Sequence, residues 1–444
     1  MNNAMILPEE PLFCIQKLEN AGFACYAVGG CVRDSLLGKT PHDYDLCTAA
    51  TPEQIKAVFS DFPQIHAGEK HGTIGIIFPN KNVYEITTFR TEGDYSDSRH
   101  PGWVTFVSHI EGDLARRDFT VNAMAYSPKR HLADPFGGQA DLQNKILRSV
   151  GDPKRRFTED ALRILRGVRF SVTYDLAVEP ETLSAMETLA PRMEHLARER
   201  VFDELCKLLP RINAQQLLHF APILTEVIPQ LRPCIGFQQR NPHHIHDVYT
   251  HIAHVVQRTP ADLTLRWAAL LHDVGKPNSF SLDDHGCGHF YGHAKGSAEL
   301  ANEILLQLKA PTALRSQVIT LVKLHMDRIP AEKKAVKRFL SRHGEETLRQ
   351  LLALQKADFG GKKPKYDPYV EEITGILEEI LAENACLSLK DLALNGHDLM
   401  AMGYSGAAIG CTLHTLLDAV LDERVPNRKD ALQTYLSQLP KEQS

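Results

Sequence analysis

The chain has 444 residues, of which 43% are hydrophobic and 24% are charged, and its formal net charge at pH 7 is −5. This length allows roughly two to four domains with sizeable cores, and the composition is typical of a globular protein rather than a disordered or fibrous one. The negative net charge excludes a uniformly basic coat for nucleic acid, so any contact with nucleic acid must use local basic patches.

The sequence also predicts where the protein works. It has no apolar run of about 18 residues and no secretion signal at its start, so we expect a cytoplasmic protein with no membrane partner. Its nine cysteines are scattered and form no Cys-x-x-Cys pair, which argues against zinc ribbons and disulfide frameworks and favours reduced thiols. The sequence gives no indication of an oligomeric state.

The stretch from Tyr26 to Leu46 joins a glycine turn to two carboxylates. An apolar run, FACYAV, predicts a short buried strand, which Gly29 and Gly30 end. Asp43 and Asp45 follow a proline turn, and in an extended strand residues two apart project to the same side. Paired carboxylates beside a glycine turn predict a site for a hard cation next to a site for phosphate, which favours nucleotidyl transfer.

The rest of the first 150 residues completes a small domain. The runs GTIGIIF and NVYEITTF alternate in hydrophobicity across a polar turn and predict a β-hairpin in the same sheet. A long polar segment follows, in which Arg99 and His100 are candidates to close over a triphosphate. Arg116 and Arg117 then form a guanidinium pair that suits phosphate oxygens, with a surface charge cluster as the alternative.

A single amphipathic helix is predicted from Thr158, as its cap, to Phe170. Its apolar positions form one stripe, and an acid with three arginines, at three-residue spacing, forms another. The members of the charged stripe are Asp160, Arg163, Arg166 and Arg169. By charge pattern alone, a solvated ladder of acid and arginine side chains is the alternative to a binding surface.

Four motifs now stand in order along the chain: GGCVRD at 29–34, DYD at 43–45, RRDFTVNA at 116–123 and EDALRILRGVRF at 159–170. In combination they resemble the bacterial tRNA nucleotidyltransferases of the second class, the CCA-adding enzymes and closely similar poly(A) polymerases. The resemblance implies an α+β fold in which a polymerase-β-type nucleotidyltransferase head, with a small mixed β-sheet, is followed by all-α domains. It also implies the substrates tRNA, CTP and ATP.

In the head, the resemblance implies that Asp43 and Asp45 are catalytic and hold Mg²⁺. Two such ions about 4 Å apart polarise the attacking hydroxyl and neutralise the leaving pyrophosphate. By the same resemblance, Gly30 lets the backbone approach the triphosphate, Arg33 binds it, and Arg117 contacts the sugar or phosphates of the nucleotide.

For the helix, the resemblance implies that protein side chains read the incoming base, so that no nucleic-acid template is needed. Asp160 and Arg163 would pair with its Watson–Crick edge, since a carboxylate accepts and a guanidinium donates hydrogen bonds there. Arg166 and Arg169 would serve nearby phosphates or orient the reading pair.

Histidines are concentrated further along the chain: ten of the 21 lie between positions 243 and 325. The segments HHIHDVYTHIAHV, LRWAALLHDVGKP, GHFYGHAKGSAE and LVKLHMD resemble an HD-type metal-dependent phosphohydrolase domain. His272 and Asp273 are its hallmark and His251 supplies the usual earlier histidine, which implies a divalent cation, either a transition metal or magnesium. His293 is a further candidate ligand.

The end of this histidine-rich region departs from the HD pattern. No closing aspartate is clearly placed, and His325 and Asp327 compete for that position. A histidine-rich packing domain without hydrolytic activity is therefore the alternative to a metal site.

The expected organisation is a head at 1–150, a helical neck and body at 151–235, an HD-type domain at 236–330 and a helical, tRNA-binding tail at 331–444. Basic patches at 332–343 and 360–365 are candidates to contact an RNA backbone. The leading hypothesis is addition of C, C and A to the 3′ end of tRNA. Its rivals are an A-only enzyme or poly(A) polymerase, an HD phosphohydrolase with a relic head, and a non-catalytic tRNA-binding protein, which the intact head motifs disfavour.

Overall fold

The structure, a computed structural model, describes residues 5–93, 104–241, 245–360 and 368–438. The chain divides into two compact units, Met1–Pro229 and Gln230–Ser444. The predicted loop residues Arg99 and His100 lie outside the described residues, as do positions 361–365 of the second basic patch.

The first unit begins with a mixed sheet and ends in helices. Its strands are β1 (Cys25–Val28), β2 (Leu46–Thr48), β3 (Gln64–Ile65), β4 (Thr73–Ile77), β5 (Val83–Thr88), β6 (Arg90–Glu92), β7 (Val104–Phe106), β8 (Ala125–Ser127), β9 (His131–Ala133), β10 (Ile146–Leu147) and β11 (Ala177–Val178). Its helices are α1 (Glu9–Asn20), α2 (Gly30–Leu36), α3 (Pro52–Val58), α4 (Ile110–Ala115), α5 (Gly138–Gln143), α6 (Pro153–Glu159), α7 (Leu162–Tyr174), α8 (Pro180–Leu189), α9 (Arg198–Leu208), α10 (Ala214–His219) and α11 (Ala221–Val227).

Seven strands form the main sheet in the order β3-β4-β5-β2-β1-β8-β9. Only β2 and β5 run parallel among these neighbours, so the sheet is mixed, and the predicted α+β head is confirmed. The predicted hairpin is β4–β5, in which Ile74 pairs with Ile86. All four residues of β1 are buried, which explains why this central strand is a continuous apolar run rather than an alternating one.

The carboxylate strand begins later than the sequence predicts. We expected Asp43 and Asp45 to lie within an extended strand, but β2 begins at Leu46 and both aspartates precede it. The backbone carbonyl of Asp45 nevertheless accepts a hydrogen bond from the amide of Val28, at 3.0 Å. This bond fixes the aspartate segment beside the end of β1.

The prediction of one helix from Thr158 to Phe170 is wrong, because the chain breaks at Asp160. Asp160 has an extended backbone (φ −144°, ψ 104°) and separates α6 from α7. Its Oδ1 accepts a hydrogen bond from the amide of Leu162, at 3.0 Å, so this carboxylate caps the first turn of α7 while Thr158 lies inside α6. The apolar stripe is confirmed, since Leu162 and its partners Leu165 and Val168 are buried.

The second unit is helical in its described residues apart from one short hairpin. The hairpin consists of β12 (Ser281–Leu282) and β13 (Gly288–His289). The helices are α12 (Val248–Arg258), α13 (Leu263–Leu271), α14 (His293–Gln307), α15 (Thr312–Leu324), α16 (Lys333–Phe359), α17 (Tyr369–Ala382), α18 (Gly396–Ala401), α19 (Ala407–Leu421) and α20 (Lys429–Gln438). Helix α16 packs against α12, α13, α15 and α17. Across the described ranges, no helix has both the length and the apolar character needed to cross a bilayer.

Candidate functional site

The glycine turn between β1 and α2 is in close contact with an arginine. Gly29 has a positive φ of 77°, and a Cβ at this position would lie 2.7 Å from Nη1 of Arg117. Only a residue without a side chain fits both the conformation and the contact. Gly30, which the sequence analysis assigned to the nucleotide, begins α2, and a Cβ there would lie at an ordinary 3.6 Å from Nη2 of Arg33. Within this turn, a side chain is therefore sterically excluded at Gly29 rather than at Gly30.

Asp43 and Asp45 form a pair of like charges near this turn. Desolvation raises the pKa of Asp45 and the negative charge of Asp43 adds to the shift, whereas the guanidinium of Arg117 opposes it. A divalent cation would relieve the repulsion between two carboxylates, and oxygen ligands are those that Mg²⁺ prefers. The donor set at this position fits Mg²⁺.

Arg33 is held from three sides. Its Nη1 donates to Oδ1 of Asn122 and its Nη2 donates to the hydroxyl of Tyr174, while Nε donates to Oδ1 of Asp34 at 3.0 Å. The guanidinium carbon also lies 4.1 Å from the ring centroid of Tyr174, a cation–π contact. Residues from the 116–123 motif and from the end of α7 thus orient Arg33, which is predicted to bind the triphosphate.

Asp118 ties the 116–123 motif to α7. Its Oδ2 accepts a hydrogen bond from Arg166 Nε at 2.9 Å and forms an ion pair with Arg166 Nη2 at 2.7 Å, and its Oδ1 accepts a hydrogen bond from Asn122 Nδ2 at 3.1 Å. Burial would raise the pKa of Asp118, but the charge of Arg166 and these hydrogen bonds outweigh it and lower the pKa to about 2. Asp118 is therefore ionised at neutral pH, and Arg166 is anchored rather than free to solvent.

The two predicted base-reading residues each have an internal partner. Oδ2 of Asp160 accepts a hydrogen bond from Nη2 of Arg200, at 3.0 Å. Nη1 of Arg163 donates to Oε2 of Glu159 at 2.8 Å, and its Nη2 donates to the carbonyl of Arg116 at 3.2 Å. The partners thus bring α6, α9 and the 116–123 motif to one place.

Sequence reasoning did not assign roles to Arg200 or Glu159. Glu204 is a further example: it is 4% exposed on α9, and its carboxylate pairs with Arg169 through Oε2. A glutamate on the buried stripe of an amphipathic helix was the available signal, since such a residue needs a cationic partner.

Six side chains of the second unit converge on a buried cluster, which we call the histidine centre. They come from five helices or their ends, and each is at most 7% exposed. The members are His251, His272, Asp273, His293, His325 and Asp358. The three metal ligands predicted for this part of the chain, His251, His272 and Asp273, therefore lie together.

Three imidazoles of the histidine centre have the same tautomer imposed on them. Nδ1 of His272, His293 and His325 lies 2.8, 2.7 and 2.7 Å from the backbone carbonyls of Ala269, Phe290 and Val322. Because a carbonyl only accepts hydrogen bonds, each Nδ1 carries a proton, so that the lone pair of a neutral ring lies on Nε2, which faces the cluster. That is the form in which histidine binds a metal.

The electrostatics of the centre favour positive charge on one side and neutral imidazole on the other. Burial opposes the charged form of His251, yet hydrogen bonds to Asp273 and Asp358 raise its pKa. Burial lowers the pKa of His325 to about 3, and the neighbouring His272 adds to that shift. Nitrogen and carboxylate ligands of this kind fit a divalent transition metal.

Asp358 is the member that sequence reasoning missed. Its Oδ1 lies 3.0 Å from Nε2 of His251, whereas Asp327, a candidate for the closing position, is exposed. Asp358 belongs to α16, which the sequence analysis placed in the tail. The available signal was its position on the buried face of that helix, following Leu351, Leu354 and Gln355 at helical spacing.

The predicted basic patch at 332–343 is largely paired within the protein. Lys333, Lys337 and Arg338 form ion pairs with Glu383, Glu423 and Asp422, respectively. These ion pairs neutralise much of the charge that was expected to contact RNA.

Comparison with known families gives three matches along the chain. The family model described as "Poly A polymerase head domain" matches residues 25–148. The model "Probable RNA and SrmB- binding site of polymerase A" matches residues 175–233, and "tRNA nucleotidyltransferase domain 2 putative" matches residues 289–436.

Several curated relatives carry the name CCA-adding enzyme. The one from Streptococcus suis is 47% identical over 209 residues, which cover 47% of this chain and 51% of that protein. This match spans about half the length of the relative. The one from Levilactobacillus brevis is 34% identical over 422 residues, which cover 94% of each chain.

Solved structures of similar proteins extend over nearly the whole chain. The CCA-adding enzyme of Bacillus stearothermophilus in complex with CTP has a TM-score of 0.69 and 29% identity, and the match covers 97% of this chain and 98% of that one. The Thermotoga maritima CCA-adding enzyme complexed with tRNA has a TM-score of 0.58 at 19% identity, over 98% and 97% of the two chains. The second likeness supports the fold alone.

Proposed function

This chain belongs to the family of CCA-adding enzymes, and from that premise we propose that it adds C, C and A to the 3′ end of tRNA from CTP and ATP in the cytoplasm. The proposal is supported by the name shared by its full-length relatives and by the likeness to a structure that contains CTP. The reaction is nucleotidyl transfer by the head, without a nucleic-acid template.

The proposal rests on a group of functional residues that come together at the glycine turn. Gly29 contacts Arg117, and the carboxylate of Asp45 lies close enough to interact with the charges of both that guanidinium and Asp43. Asp43 and Asp45 would hold two Mg²⁺ ions, which supply charge neutralisation for the leaving pyrophosphate and polarise the 3′-hydroxyl. Arg117 contacts the nucleotide beside them, and Gly30 lies at the start of α2, where the backbone approaches the triphosphate.

Arg33 binds the triphosphate in this proposal. A guanidinium that is already oriented by Asn122 and Tyr174 loses little side-chain entropy when the nucleotide arrives. Arg166 and Arg169 act from α7 through the carboxylates of Asp118 and Glu204, so they orient the site rather than bind phosphate directly.

Asp160 and Arg163 select the base. The exocyclic amino group of cytosine or adenine donates a hydrogen bond, which a carboxylate accepts, and the ring nitrogens accept hydrogen bonds from a guanidinium. The internal bonds to Arg200 and Glu159 hold both side chains in defined positions before the base arrives.

The decisive experiment separates CCA addition from A-only addition and from poly(A) synthesis. A tRNA that lacks its 3′ end is incubated with the protein, CTP and ATP, and the product is sequenced. We expect CCA; a single A on a tRNA that already ends in CC, or a long A tail, would establish one of the rival activities.

A second activity is favoured by the histidine centre. We propose that His251, His272 and Asp273 hold a divalent cation in an HD-type phosphohydrolase site, and that the tail beyond it helps to bind tRNA. Support comes from the imposed tautomers, which direct unprotonated Nε2 atoms at a buried carboxylate. The cation would supply the Lewis acidity that hydrolysis of a phosphate ester requires.

The test compares metal content and 2′,3′-cyclic phosphatase activity between the parent and His272→Ala. We expect both to fall in the variant. Identical values in the two proteins would leave the histidine centre with a packing role only.

A further inference from the structure

The hairpin formed by β12 and β13 carries three side chains of metal-binding type outside the histidine centre. They are Asp283 and Cys287, at the two ends of the hairpin loop, and His289, at the end of β13. One ligand atom from each side chain lies within 4.8 Å of those from the other two. We propose that these three side chains bind a divalent transition metal ion of the Zn²⁺ type, in a site separate from both the head and the histidine centre.

The hairpin loop is closed by backbone hydrogen bonds. The amide of Asp283 donates to the carbonyl of Cys287 at 3.1 Å, and the amide of Gly286 donates to the carbonyl of Asp283 at 2.9 Å. Gly286 has a positive φ of 75°, a conformation that glycine adopts without strain. The loop therefore brings its first and last residues together beside the strand residue His289, which pairs with Ser281.

The carboxylate of Asp283 is held in place by the backbone of its own loop. Its Oδ1 accepts hydrogen bonds from the amides of His285, at 3.0 Å, and Cys287, at 2.8 Å. Its Oδ2 lies 2.9 Å from Nε2 of His289. The hydrogen bond from His289, followed by those from the loop amides, lowers the pKa of Asp283. The carboxylate is therefore ionised at neutral pH, and one of its oxygens faces the imidazole.

The imidazole of His289 is also oriented by its surroundings. Its ring stacks on that of Tyr291, with centroids 5.3 Å apart and planes 7° apart. Because an ionised carboxylate only accepts hydrogen bonds, Nε2 is the donor to Asp283. A metal ion takes the place of that proton. Around a tetrahedral ion with bonds of about 2.0–2.1 Å, adjacent ligand atoms are about 3.3 Å apart, so Nε2 and Oδ2 need to separate only slightly from 2.9 Å.

The hairpin is anchored to the backbone of the second unit. The amide of Gly288 donates to the carbonyl of Arg240 at 2.8 Å, and its carbonyl accepts a hydrogen bond from Nδ2 of Asn241 at 3.1 Å. A Cβ at Gly288 would clash with the carbonyl oxygen of Gln239, so β13 packs directly on this segment. Ligands on an anchored hairpin lose less conformational entropy on metal binding than ligands on a free loop.

The chemistry of the three donors selects the ion. Thiolate and imidazole ligands favour Zn²⁺ and other transition metal ions over Mg²⁺, which prefers oxygen ligands. The thiolate of Cys287 and the carboxylate of Asp283 balance the charge of a divalent ion. Three protein ligands leave the fourth position of a tetrahedral site to water. The side chains of Asp283 and His289 are 36% and 31% exposed, so an ion can enter from solvent.

A hydrogen bond that only stabilises the hairpin is the alternative explanation for the pair of Asp283 and His289. That explanation accounts for two side chains, whereas the thiol of Cys287 adds a third metal-binding donor at the same place. The lack of a Cys-x-x-Cys pair argues against a zinc ribbon, but it has no bearing on a site that uses a single cysteine.

The experiment titrates the full-length, reduced protein with Co²⁺, which replaces Zn²⁺ and reports its own ligands by absorption. A thiolate ligand produces a charge-transfer band in the near ultraviolet, and tetrahedral geometry produces intense visible bands. We expect both in the parent, and we expect one Zn²⁺ per chain to displace them. The ligands proposed in the head and in the histidine centre include no cysteine, so those sites do not contribute to the charge-transfer band.

Variants of the three ligands test the site. Cys287→Ser should abolish the charge-transfer band. His289→Ala and Asp283→Asn should each lower the affinity for Co²⁺ at least about 10- to 100-fold, since even the loss of an outer partner of a ligand has an effect of this size. Asp283→Asn keeps an acceptor oxygen for the loop amides. Cys411→Ser, at an exposed cysteine of the same unit, is the matched control and should retain the parent spectrum.

Two results would overturn the proposal. Absence of a charge-transfer band in the parent, or its persistence in Cys287→Ser, would show that the hairpin thiol binds no metal ion. Parent-like affinity in both His289→Ala and Asp283→Asn would show that a cysteine binds Co²⁺ without the other two ligands. Circular dichroism checks the folding of each variant, and the isosteric changes Cys287→Ser and Asp283→Asn keep the test independent of the larger truncation at His289.

Discussion

Arg200 donates a hydrogen bond to Asp160, with Nη2 3.0 Å from Oδ2, while the other oxygen of the same carboxylate caps Leu162. Both oxygens of the proposed base-reading aspartate are therefore engaged before a nucleotide binds. Arg163 is engaged in the same way by Glu159, at 2.8 Å. In the proposed base-reading role, these residues would exchange internal hydrogen bonds for bonds to the base, which would limit the net gain in binding free energy but make a mismatched base costly.

The first prediction concerns base selection. Asp160→Ala and Arg163→Ala should each reduce the discrimination between CTP and ATP by roughly tenfold, because one lost base-edge contact is worth about 1–3 kcal/mol. Binding of the triphosphate should change less, since Arg33 and Arg117 remain. The measurement is kcat/KM for each nucleotide on tRNA ending before the first C and on tRNA ending in CC.

Arg192→Ala is the matched control for that experiment, because Arg192 is exposed, and it should leave the kcat/KM ratio unchanged. Parent-like discrimination in both Asp160→Ala and Arg163→Ala would reject the base-reading role.

The second prediction concerns the transfer step. Asp43→Asn and Asp45→Asn preserve side-chain size but weaken the proposed Mg²⁺ ligands, so the rate of addition should fall about a thousandfold or more, equivalent to several kcal/mol. Affinity for tRNA should persist because the change is confined to the head. Single-turnover incorporation of labelled nucleotide and a tRNA mobility shift measure the two quantities.

Asp175→Asn, at an exposed aspartate of the same unit, controls for loss of a carboxylate as such. Normal addition by Asp43→Asn or by Asp45→Asn would refute the two-metal assignment.

The third prediction distinguishes the roles of two neighbouring glycines. Gly29→Ala places a Cβ 2.7 Å from Arg117 at a positive φ, and it should destabilise the fold by about 1–2 kcal/mol and displace Arg117. Gly30→Ala meets only an ordinary contact, so it should preserve the melting temperature and raise KM for nucleotides if the backbone there approaches the triphosphate. Thermal unfolding and steady-state kinetics on both variants distinguish a conformational role from a binding role.

An unchanged melting temperature for Gly29→Ala would contradict the steric argument, and an unchanged KM for Gly30→Ala would remove Gly30 from the binding site.

Local sequence patterns predicted the head better than they predicted side-chain partners. The β4–β5 hairpin and the buried strand before Gly29 follow from hydrophobic periodicity, which is a local property of the chain. The break at Asp160 was not foreseen, because a capping aspartate between two helices and an acid within one helix have the same local pattern.

The sequence also did not predict side-chain partners that lie far apart along the chain. Asp358 lies 85 positions after Asp273 in a helix whose remaining features are those of an ordinary amphipathic segment. Nothing in a single sequence specifies that this helix packs against α12 and α13, so the closing carboxylate of the histidine centre required the tertiary structure.

The fourth prediction concerns acid stability. Asp118, with a pKa lowered to about 2 in the folded protein, stabilises the fold fully above its unfolded pKa near 4, and this contribution is lost as pH falls from about 4 toward 2. The full contribution is about 2 kcal/mol, of which about 1 kcal/mol is lost by pH 3. The difference in unfolding free energy between the parent and Asp118→Asn should therefore shrink by that amount between pH 5 and pH 3.

Urea unfolding at the two pH values measures this change, with Asp203→Asn on the exposed face of α9 as the control. A difference between parent and Asp118→Asn that stays constant from pH 5 to pH 3 would show that Asp118 has no depressed pKa.

The fifth prediction tests which aspartate closes the histidine centre. Asp358→Ala should lower metal affinity about 10- to 100-fold and abolish cyclic phosphatase activity, because Asp358 lies 3.0 Å from His251 in the buried cluster. Asp327→Ala, the exposed candidate from the sequence, should behave like the parent. Nucleotide addition should be normal in both variants, since the head provides that chemistry. If Asp327→Ala rather than Asp358→Ala lost metal and hydrolysis, the ligand set drawn from the structure would be wrong.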